Sequence, residues 1–204
     1  MVGFNRRFSP LAKLARERFA GIGEPLLINY RVNAGFIPKD HWVQTEEGGG
    51  RILGEICHFV DFLQFLTGSD PETVFAENSR NSSSKMVSRD NVVITVRFAE
   101  GSVGSITYAA CGDKLLSKER VEIFGGGRSF VIDDFKAGEY YSKGSCKRFR
   151  NPGKGYKEEV EAFFKSIREG LSAPIPFESI YNTTAVTFRI IDSLRTALPQ
   201  KILL

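Results

Sequence analysis

The sequence is poor in the features that mark secreted, membrane and metal-binding proteins. It has three cysteines in 204 residues, Cys57, Cys111 and Cys146, which are too few and too far apart for a disulfide framework or a zinc site. It contains no run of about 18 uncharged apolar residues, and its N-terminus lacks the basic and then apolar pattern of a signal peptide. We therefore expect a cytoplasmic protein with reduced cysteines, no metal ion and no membrane partner.

Two glycine motifs that bind nucleotide phosphates are also absent from the sequence. The pairs Gly48/Gly50 and Gly125/Gly127 are not followed by the third glycine of Gly-x-Gly-x-x-Gly, and no Gly-Lys-Ser/Thr loop occurs. We interpret the second glycine run as a hairpin turn, because it lies between two strand patterns and no helix follows it. We expect no cofactor bound to this chain.

Charge and composition narrow the class further. The chain is 42% hydrophobic and 25% charged, which is typical of a globular protein with one buried core. Its net charge of +4 can attract anionic substrates, but the basic residues are scattered along the chain rather than gathered in one block. We therefore expect no nucleic-acid partner.

The most informative stretch runs from Gly48 to Asp61. Three consecutive glycines open it, and a helical apolar pattern follows, formed by Ile52, Ile56, Phe59, Val60, Leu63 and Leu66. The opposite side of this helix carries Gly54, His58 and Asp61, with Glu55 at its flank. Because His58 and Asp61 are one turn apart, we predict that the carboxylate orients the imidazole and favours its protonated form. The alternative is a structural histidine with no chemical role.

A 15-residue loop, Asn33–Glu47, leads into the glycine run and contains the pair His41-Trp42. Loops of this length often carry binding residues. Arg31, Asn33 and His41 are candidates for contacts with hydroxyl or carboxylate groups, since fork-shaped and amide donors suit such oxygens. The alternative is a packed loop in which Trp42 covers the core.

The rest of the pattern predicts an α+β domain. The N-terminal residues 1–8 read as a short strand that ends in a basic turn, and Ser9-Pro10 reads as the start of a helix that continues to Gly21. The serine-rich residues 80–89 are interpreted as a mobile loop. Further strands are predicted at residues 26–32, 73–79, 91–98, 102–109, 118–124, 128–132, 139–142 and 146–150, and further helices at 156–170 and 180–194. We expect a largely antiparallel open sheet of about six to eight strands with helices on one face.

The face of such a sheet that the helices do not cover contacts either another protein chain or solvent. An apolar face predicts an interface and hence a homodimer or tetramer, and the aromatic strand residues that suggest one are Phe98, Tyr108, Phe124 and Phe130. The alternative is a face polar enough for solvent. The residues that suggest this are Thr95, Arg97, Thr107 and Glu122.

The stretch from Gly48 to Asp61 resembles the signature of the C-terminal domain of the Gfo/Idh/MocA family, which is named after glucose-fructose oxidoreductase and inositol dehydrogenase. In that family a glycine run opens a helix that bears an Asp and, four residues later, a His that works beside the nicotinamide. His58 matches the His. The Asp position falls on Gly54, and the nearest carboxylate is that of Glu55. The resemblance covers essentially the whole chain, including the segments 1–8 and 157–164.

The resemblance implies a sheet like that of the glyceraldehyde-3-phosphate dehydrogenase C-terminal domain. It implies that residues 1–8 are a remnant strand and linker from a missing Rossmann half that binds NAD or NADP. Residues 9–204 would be the substrate-binding and oligomerisation domain, inactive alone, of an oxidoreductase acting on a sugar, cyclitol or nucleotide-sugar hydroxyl. The expected catalytic residues are His58 and Asp61. The expected substrate contacts are Arg6, Arg31, Asn33, His41, Trp42 and Glu55. The alternative function is a non-catalytic sensor or scaffold of the same fold, which Gly54 favours.

Overall fold

The computed structural model describes residues 1–79, 87–150 and 153–202. Most of the predicted loop 80–89 therefore lies outside the described residues. Among the residues that are described, no helix has both the length and the apolar character that crossing a membrane requires.

The helical segments follow the apolar patterns closely. A 3₁₀ turn at Asn5–Phe8 precedes α1, and a π-helical turn at Ile52–Ile56 runs directly into α2; shorter 3₁₀ turns lie at Trp42–Gln44 and Ser88–Asp90. The α-helices are α1 Pro10–Phe19, α2 Cys57–Thr67, α3 Tyr156–Glu169 and α4 Phe177–Thr196. The predicted end of the signature helix at Thr67 is confirmed, because Gly68 adopts the left-handed conformation there.

The described strands form one sheet in the order β8-β7-β6-β5-β1-β4-β3-β2-β9. Neighbouring strands are antiparallel except for the central pair β1 and β4. Within the described residues the sheet has nine strands, one more than the six to eight that were predicted. The additional strand, β9, has only two residues. The strands are β1 Leu27–Asn33, β2 Pro71–Asn78, β3 Asn91–Phe98, β4 Val103–Ala109, β5 Glu119–Gly125, β6 Arg128–Asp133, β7 Ala137–Ser142, β8 Ser145–Arg150 and β9 Gln200–Lys201.

The parallel pair defines one edge of the sheet. Asn33 at the end of β1 lies opposite Ala109 at the end of β4, and Glu119 at the start of β5 lies opposite Val32. The two polar residues at these strand ends, Asn33 and Glu119, are therefore brought close together. This edge faces the beginning of α2, since Glu55 bonds to Tyr108 there.

The main core lies between one face of the sheet and helices α1, α2 and α4. Tyr30 on β1 packs edge-on against Phe59 and Phe62 of α2 at ring distances of 5.0 and 5.5 Å. A Cβ at Gly104 would lie 2.6 Å from a methyl of Leu63, so the close approach of α2 to β4 requires glycine at that position.

The predicted apolar open face is wrong for three of its four aromatic residues. Phe98, Tyr108 and Phe130 are buried beneath the helices, and Phe124 alone of the four is exposed on the other face. The alternation of buried and exposed residues along the strands was predicted correctly. Which of the two alternating sets of side chains faces the core is decided by packing against the helices. The open face is mixed. It presents Leu27, Phe75, Val93 and Phe124 together with Thr95, Arg97, Thr107 and Glu122.

Helix α3 also departs from the prediction. Val160, Phe164 and Ile167, which have core spacing, are exposed, whereas Glu159 and Ser166 are its buried residues. Helical spacing is the same whichever way the apolar stripe faces, and here it faces away from the sheet.

The N-terminal segment is a 3₁₀ turn rather than the predicted strand. Both Arg6 and Arg7 are buried, because each forms an ion pair with a carboxylate elsewhere in the fold. Ser9 does not cap α1 with its side chain, since its hydroxyl donates instead to the Gly153 carbonyl at 3.1 Å.

Candidate functional site

The glycine run and a π-helical turn shape the beginning of the signature helix. Gly49 and Gly50 have positive φ angles of 70° and 72°, and a Cβ at Gly48 would lie 2.2 Å from the carbonyl oxygen of Trp42. The turn at Ile52–Ile56 widens the helix just before His58. Such π turns are rare and occur often at functional sites, and the apolar spacing alone did not reveal this one.

His58 lies half-buried at the polar edge of the sheet. Its ring meets that of Phe4 edge-on at 5.6 Å, and its Nδ1 atom is buried with no hydrogen-bond partner among the described residues. The pKa of His58 is lowered to about 4, chiefly by burial and then by the charge of Arg6, with a smaller contribution from Lys118, while the carboxylates of Glu55 and Glu119 oppose these effects. The imidazole is therefore neutral at pH 7, and the predicted preference for the protonated form is wrong.

Asp61 does not pair with His58 as predicted. Its carboxylate accepts from Arg7 through Nε at 3.0 Å and also through Nη2, and the same guanidinium donates to Ser179 at 2.9 Å. The side chain of Asp61 is fully buried. It therefore ties the N-terminal 3₁₀ turn to α2 and α4 instead of orienting the imidazole.

A buried ion-pair network lies on one side of the imidazole. Arg6 donates from Nε and Nη2 to the two carboxylate oxygens of Glu119 at 2.6 and 3.0 Å. Lys154 donates to the same carboxylate at 2.8 Å and bridges it to Asp134, while the Tyr30 hydroxyl donates as well. Burial alone would raise the pKa of Glu119, but Arg6 and then Lys154 outweigh it and hold that pKa at about 2. The guanidinium of Arg6 is committed to this network, and its contact with substrate stays a prediction.

A second carboxylate, that of Glu55, is more open. The Tyr108 hydroxyl and Arg51 donate to Oε2, the latter at 3.1 Å, and the Lys118 ammonium donates to Oε1 at 2.9 Å. Burial alone would raise the pKa of Glu55, yet these partners lower it. Glu55 is thus ionised and lies one helical turn before His58. Its contact with substrate stays a prediction.

Arg31 and Asn33 bind the loop at residues 111–118 rather than standing free. Arg31 donates to the carbonyl and hydroxyl oxygens of Ser117, and the Asn33 amide donates to two further carbonyls of the loop at 2.7 and 3.1 Å. The backbone N–H of Asn33 also donates to the carbonyl of Lys118 at 2.7 Å. These bonds hold the loop that carries Lys118, and the role of Arg31 and Asn33 as direct substrate contacts stays a prediction.

His41 and Trp42 stay at the surface. Trp42 is 67% exposed, and His41 accepts a hydrogen bond from the backbone of Val43 in the same loop. The alternative in which Trp42 covers the core is therefore wrong. Within the described part of the chain, the contacts shown for His41 and Trp42 stay inside their own loop, and their role as substrate contacts stays a prediction.

Two clefts have linings that do not include the imidazole; the first lies beside Arg51 and the second beside the C-terminal half of α2. One, of about 330 Å³, is lined by Gln44, Arg51 and Asp90 among others, and the other, of about 590 Å³, is lined by Arg7, Gln64 and neighbouring residues. His58 is instead half-buried, and the charged groups that act on its ring are Arg6, Glu55, Glu119 and Lys118. The exposed part of the ring can exchange a proton with a molecule placed against it.

Lys118, Glu119, Tyr108 and Arg51 belong to the site but were not identified from the sequence. The one local hint is that Glu119 has the same strand parity as the apolar Val121 and Ile123, because an acid on the buried face needs a cationic partner. The identity of the partners depends on contacts across more than 50 residues of sequence.

The family model of the GFO/IDH/MocA C-terminal domain matches residues 16–131, which is more than half of the chain. The chain belongs to this family. The match includes both the glycine run and the strands that carry Tyr108 and Glu119. Similarity to GFO/IDH/MocA proteins was expected from the signature stretch, and it is confirmed.

Relatives of this GFO/IDH/MocA chain extend the comparison. It is 28% identical over 188 residues to a myo-inositol 2-dehydrogenase of Thermotoga maritima, a match that covers 82% of this chain and 54% of that protein. An oxidoreductase domain protein from Kribbella flavida has a TM-score of 0.81 at 21% identity, with 100% of this chain and 66% of the other covered. An aldose-aldose oxidoreductase from Caulobacter crescentus, complexed with glycerol, has a TM-score of 0.83 at 16% identity, covering 98% and 63%. These structures share the α+β fold, and the chain spans about half to two thirds of the length of the relatives.

Proposed function

We propose that this chain is the substrate-binding domain of an NAD(P)-dependent oxidoreductase that acts on a hydroxyl of a sugar, cyclitol or nucleotide sugar. The observation that carries the proposal is the neutral, half-buried imidazole of His58 at an open polar edge, with ionised Glu55 and Glu119 nearby. Family membership and the name of the Thermotoga maritima relative support the substrate class.

The role of the chain would be proton transfer and substrate placement. A neutral imidazole accepts the proton of the substrate hydroxyl, and the two carboxylates stabilise the cation that it becomes. The described residues contain no glycine-rich strand-to-helix turn that fits a dinucleotide, so the hydride acceptor would be held by another unit. Within this chain, Glu55 and the groups around it would fix the orientation of the substrate.

The test uses a protein in which this chain is joined to a dinucleotide-binding unit. We expect polyol-dependent reduction of NAD or NADP, and a loss of at least about 100-fold in kcat for His58→Asn, since a positioned acid-base group contributes about that much. Thermal unfolding of the variant serves as the control for folding. Full activity of His58→Asn would exclude the proposed role.

A second candidate is a non-catalytic sensor or scaffold. Gly54 favours it, because the carboxylate that the family resemblance places one turn before His58 is missing. A sensor would bind nucleotide and polyol without changing the redox state of either. Absorbance of the reduced nicotinamide, measured alongside binding by calorimetry, separates the two candidates.

Self-association through the open face of the sheet remains a prediction. The exposed Leu27, Val93 and Phe124 support it, and the intervening Arg97 and Arg120 weaken it. Light scattering after size-exclusion chromatography measures the mass directly. A dimer that Val93→Lys dissociates would support this face as the interface, and a monomer at high concentration would exclude it.

A further inference from the structure

One cation at the polar edge is half-exposed, although it forms an ion pair with Glu55. Lys118 is 43% exposed in its side chain, whereas Arg51, which binds the same carboxylate, is only 2% exposed. Glu55 keeps its bonds from Tyr108 and Arg51 whether or not Lys118 is present. The ammonium is therefore available to a molecule that approaches from solvent.

The fold nevertheless places Lys118 firmly. Three anchors act on the end of its loop: the bonds from Arg31 to Ser117, the amide bonds from Asn33, and the backbone bond from Asn33 to Lys118 itself. A side chain that was only a solvated surface charge would need no such support. The anchors fix the backbone from which the ammonium reaches Glu55.

The hydrogen-bond donors and acceptors that Lys118 and Glu55 leave unused define what the pair can bind. An ammonium has three N–H donors, of which Glu55 uses one. On the carboxylate, Oε2 already accepts from Tyr108 and Arg51, while Oε1 accepts only from Lys118 among the bonds that the structure shows. The exposed side of the pair thus offers donors and an acceptor next to each other, which matches a single hydroxyl group that accepts one hydrogen bond and donates another.

We propose that Lys118 and Glu55 bind, as an ion pair, the hydroxyl adjacent to the one that His58 deprotonates, so that the substrate is a vicinal diol of a sugar or cyclitol. The proposal rests on the proposed function of His58. Glu55 is three residues before His58 on the same helical segment, and the charges of Glu55 and Lys118 both act on the imidazole, so the ion pair lies beside the ring. Lys118 is a specificity residue in this scheme.

The first experiment measures binding by the chain itself and needs no turnover. Myo-inositol is titrated into the labelled protein and followed by NMR, with cyclohexanol as a ring that has no adjacent hydroxyl. We expect saturable binding of myo-inositol that Lys118→Met weakens at least about tenfold, since a hydrogen bond to a charged group is worth that much. Lys114→Met, in the same exposed loop, should leave the affinity unchanged. No saturable binding, or equal affinity in Lys118→Met, would overturn the proposal.

The second experiment separates this proposal from the proposed function. In a protein joined to a dinucleotide-binding unit, Lys118→Met should lower kcat/KM for myo-inositol at least about tenfold more than it lowers kcat/KM for cyclohexanol, and Lys118→Arg should recover part of that difference. Lys114→Met should change neither value. Turnover of myo-inositol that is insensitive to Lys118 would refute the role of the pair and leave the oxidoreductase function standing. Binding of myo-inositol that depends on Lys118 but is not followed by turnover would support the role of the pair and refute the oxidoreductase function.

Discussion

Two carboxylates near His58 differ in how they meet solvent. The side chain of Glu119 is 1% exposed and is enclosed by Arg6, Lys154 and Tyr30, whereas that of Glu55 is 24% exposed and borders the half-exposed Lys118. Both are ionised, so the difference lies in access and not in charge. Both ion pairs join distant parts of the chain, but the pair at Glu119 is enclosed and the pair at Glu55 is partly exposed to solvent.

The largest expected effect distinguishes these two acids by stability. Glu119→Gln leaves Arg6 and Lys154 with a buried, unbalanced positive charge, and we expect a loss of about 3–5 kcal/mol in the free energy of unfolding. Glu55→Gln removes a partly exposed pair whose other contacts remain, and we expect a loss of about 1 kcal/mol. Urea unfolding of both variants measures the contrast. Equal losses would mean that the two pairs are not different in kind.

The pH dependence of stability sharpens the comparison at His58. Because its folded pKa of about 4 lies below the ordinary 6.5, the unfolded chain binds a proton in this window that the folded chain does not. The histidine therefore makes the fold less stable as pH falls from 6.5 to 4. Urea unfolding at about pH 7 and about pH 5 should show a smaller decrease for His58→Asn than for the natural chain. An unchanged decrease would contradict the low pKa.

A smaller effect concerns the field that Lys118 exerts. Arg6 and Lys118 disfavour the imidazolium, and Glu55 and Glu119 favour it, so Lys118→Met should raise the pKa of His58. The chain has only two histidines, so proton NMR titration resolves the ring, and His58→Asn assigns its resonance. Lys114→Met is the matched control. A pKa of His58 that stays the same in Lys118→Met would place the ammonium too far from the ring to act on it.

The smallest expected change in stability comes from Gly54→Asp. A Cβ at this position meets no atom within 4 Å, and the residue is exposed near the start of a helix, so we expect a change within about 0.5 kcal/mol. The added carboxylate would stand one turn before His58 and should raise the pKa of the imidazole. Thermal unfolding and NMR titration of the same sample report both quantities. A large destabilisation would show that the π turn depends on glycine.

Local patterns predicted the elements better than they predicted the site. The apolar spacing of α2, the strand alternation and the glycine turn at residues 125–127 all depend on neighbours in sequence, and the structure confirms them. The partner of Asp61 was wrong because Arg7, 54 residues away, competes for the carboxylate more strongly than the imidazole one turn back. Lys118 was missed for the same reason, since its importance comes from Glu55 on another element.

The sequence pattern also did not predict which face of each strand or helix is buried. Phe130 on a strand and Phe164 on a helix carry the same periodic signal as their neighbours, yet the first is fully buried and the second is exposed. Periodicity gives the relative orientation of side chains but not which side the rest of the fold occupies. That information resides in how α2 and α4 dock on the sheet.

The consecutive arginines of the first 3₁₀ turn have a practical meaning for anyone who shortens this chain. Arg6 and Arg7 reach opposite ways, to Glu119 and to Asp61. A clone that begins at Ser9 would delete both guanidinium groups at once, leaving buried Asp61 without Arg7 and Glu119 with Lys154 as its remaining cation. Expression boundaries drawn at the first regular helix would therefore destabilise the fold, although the eight residues removed contain no strand and no α-helix.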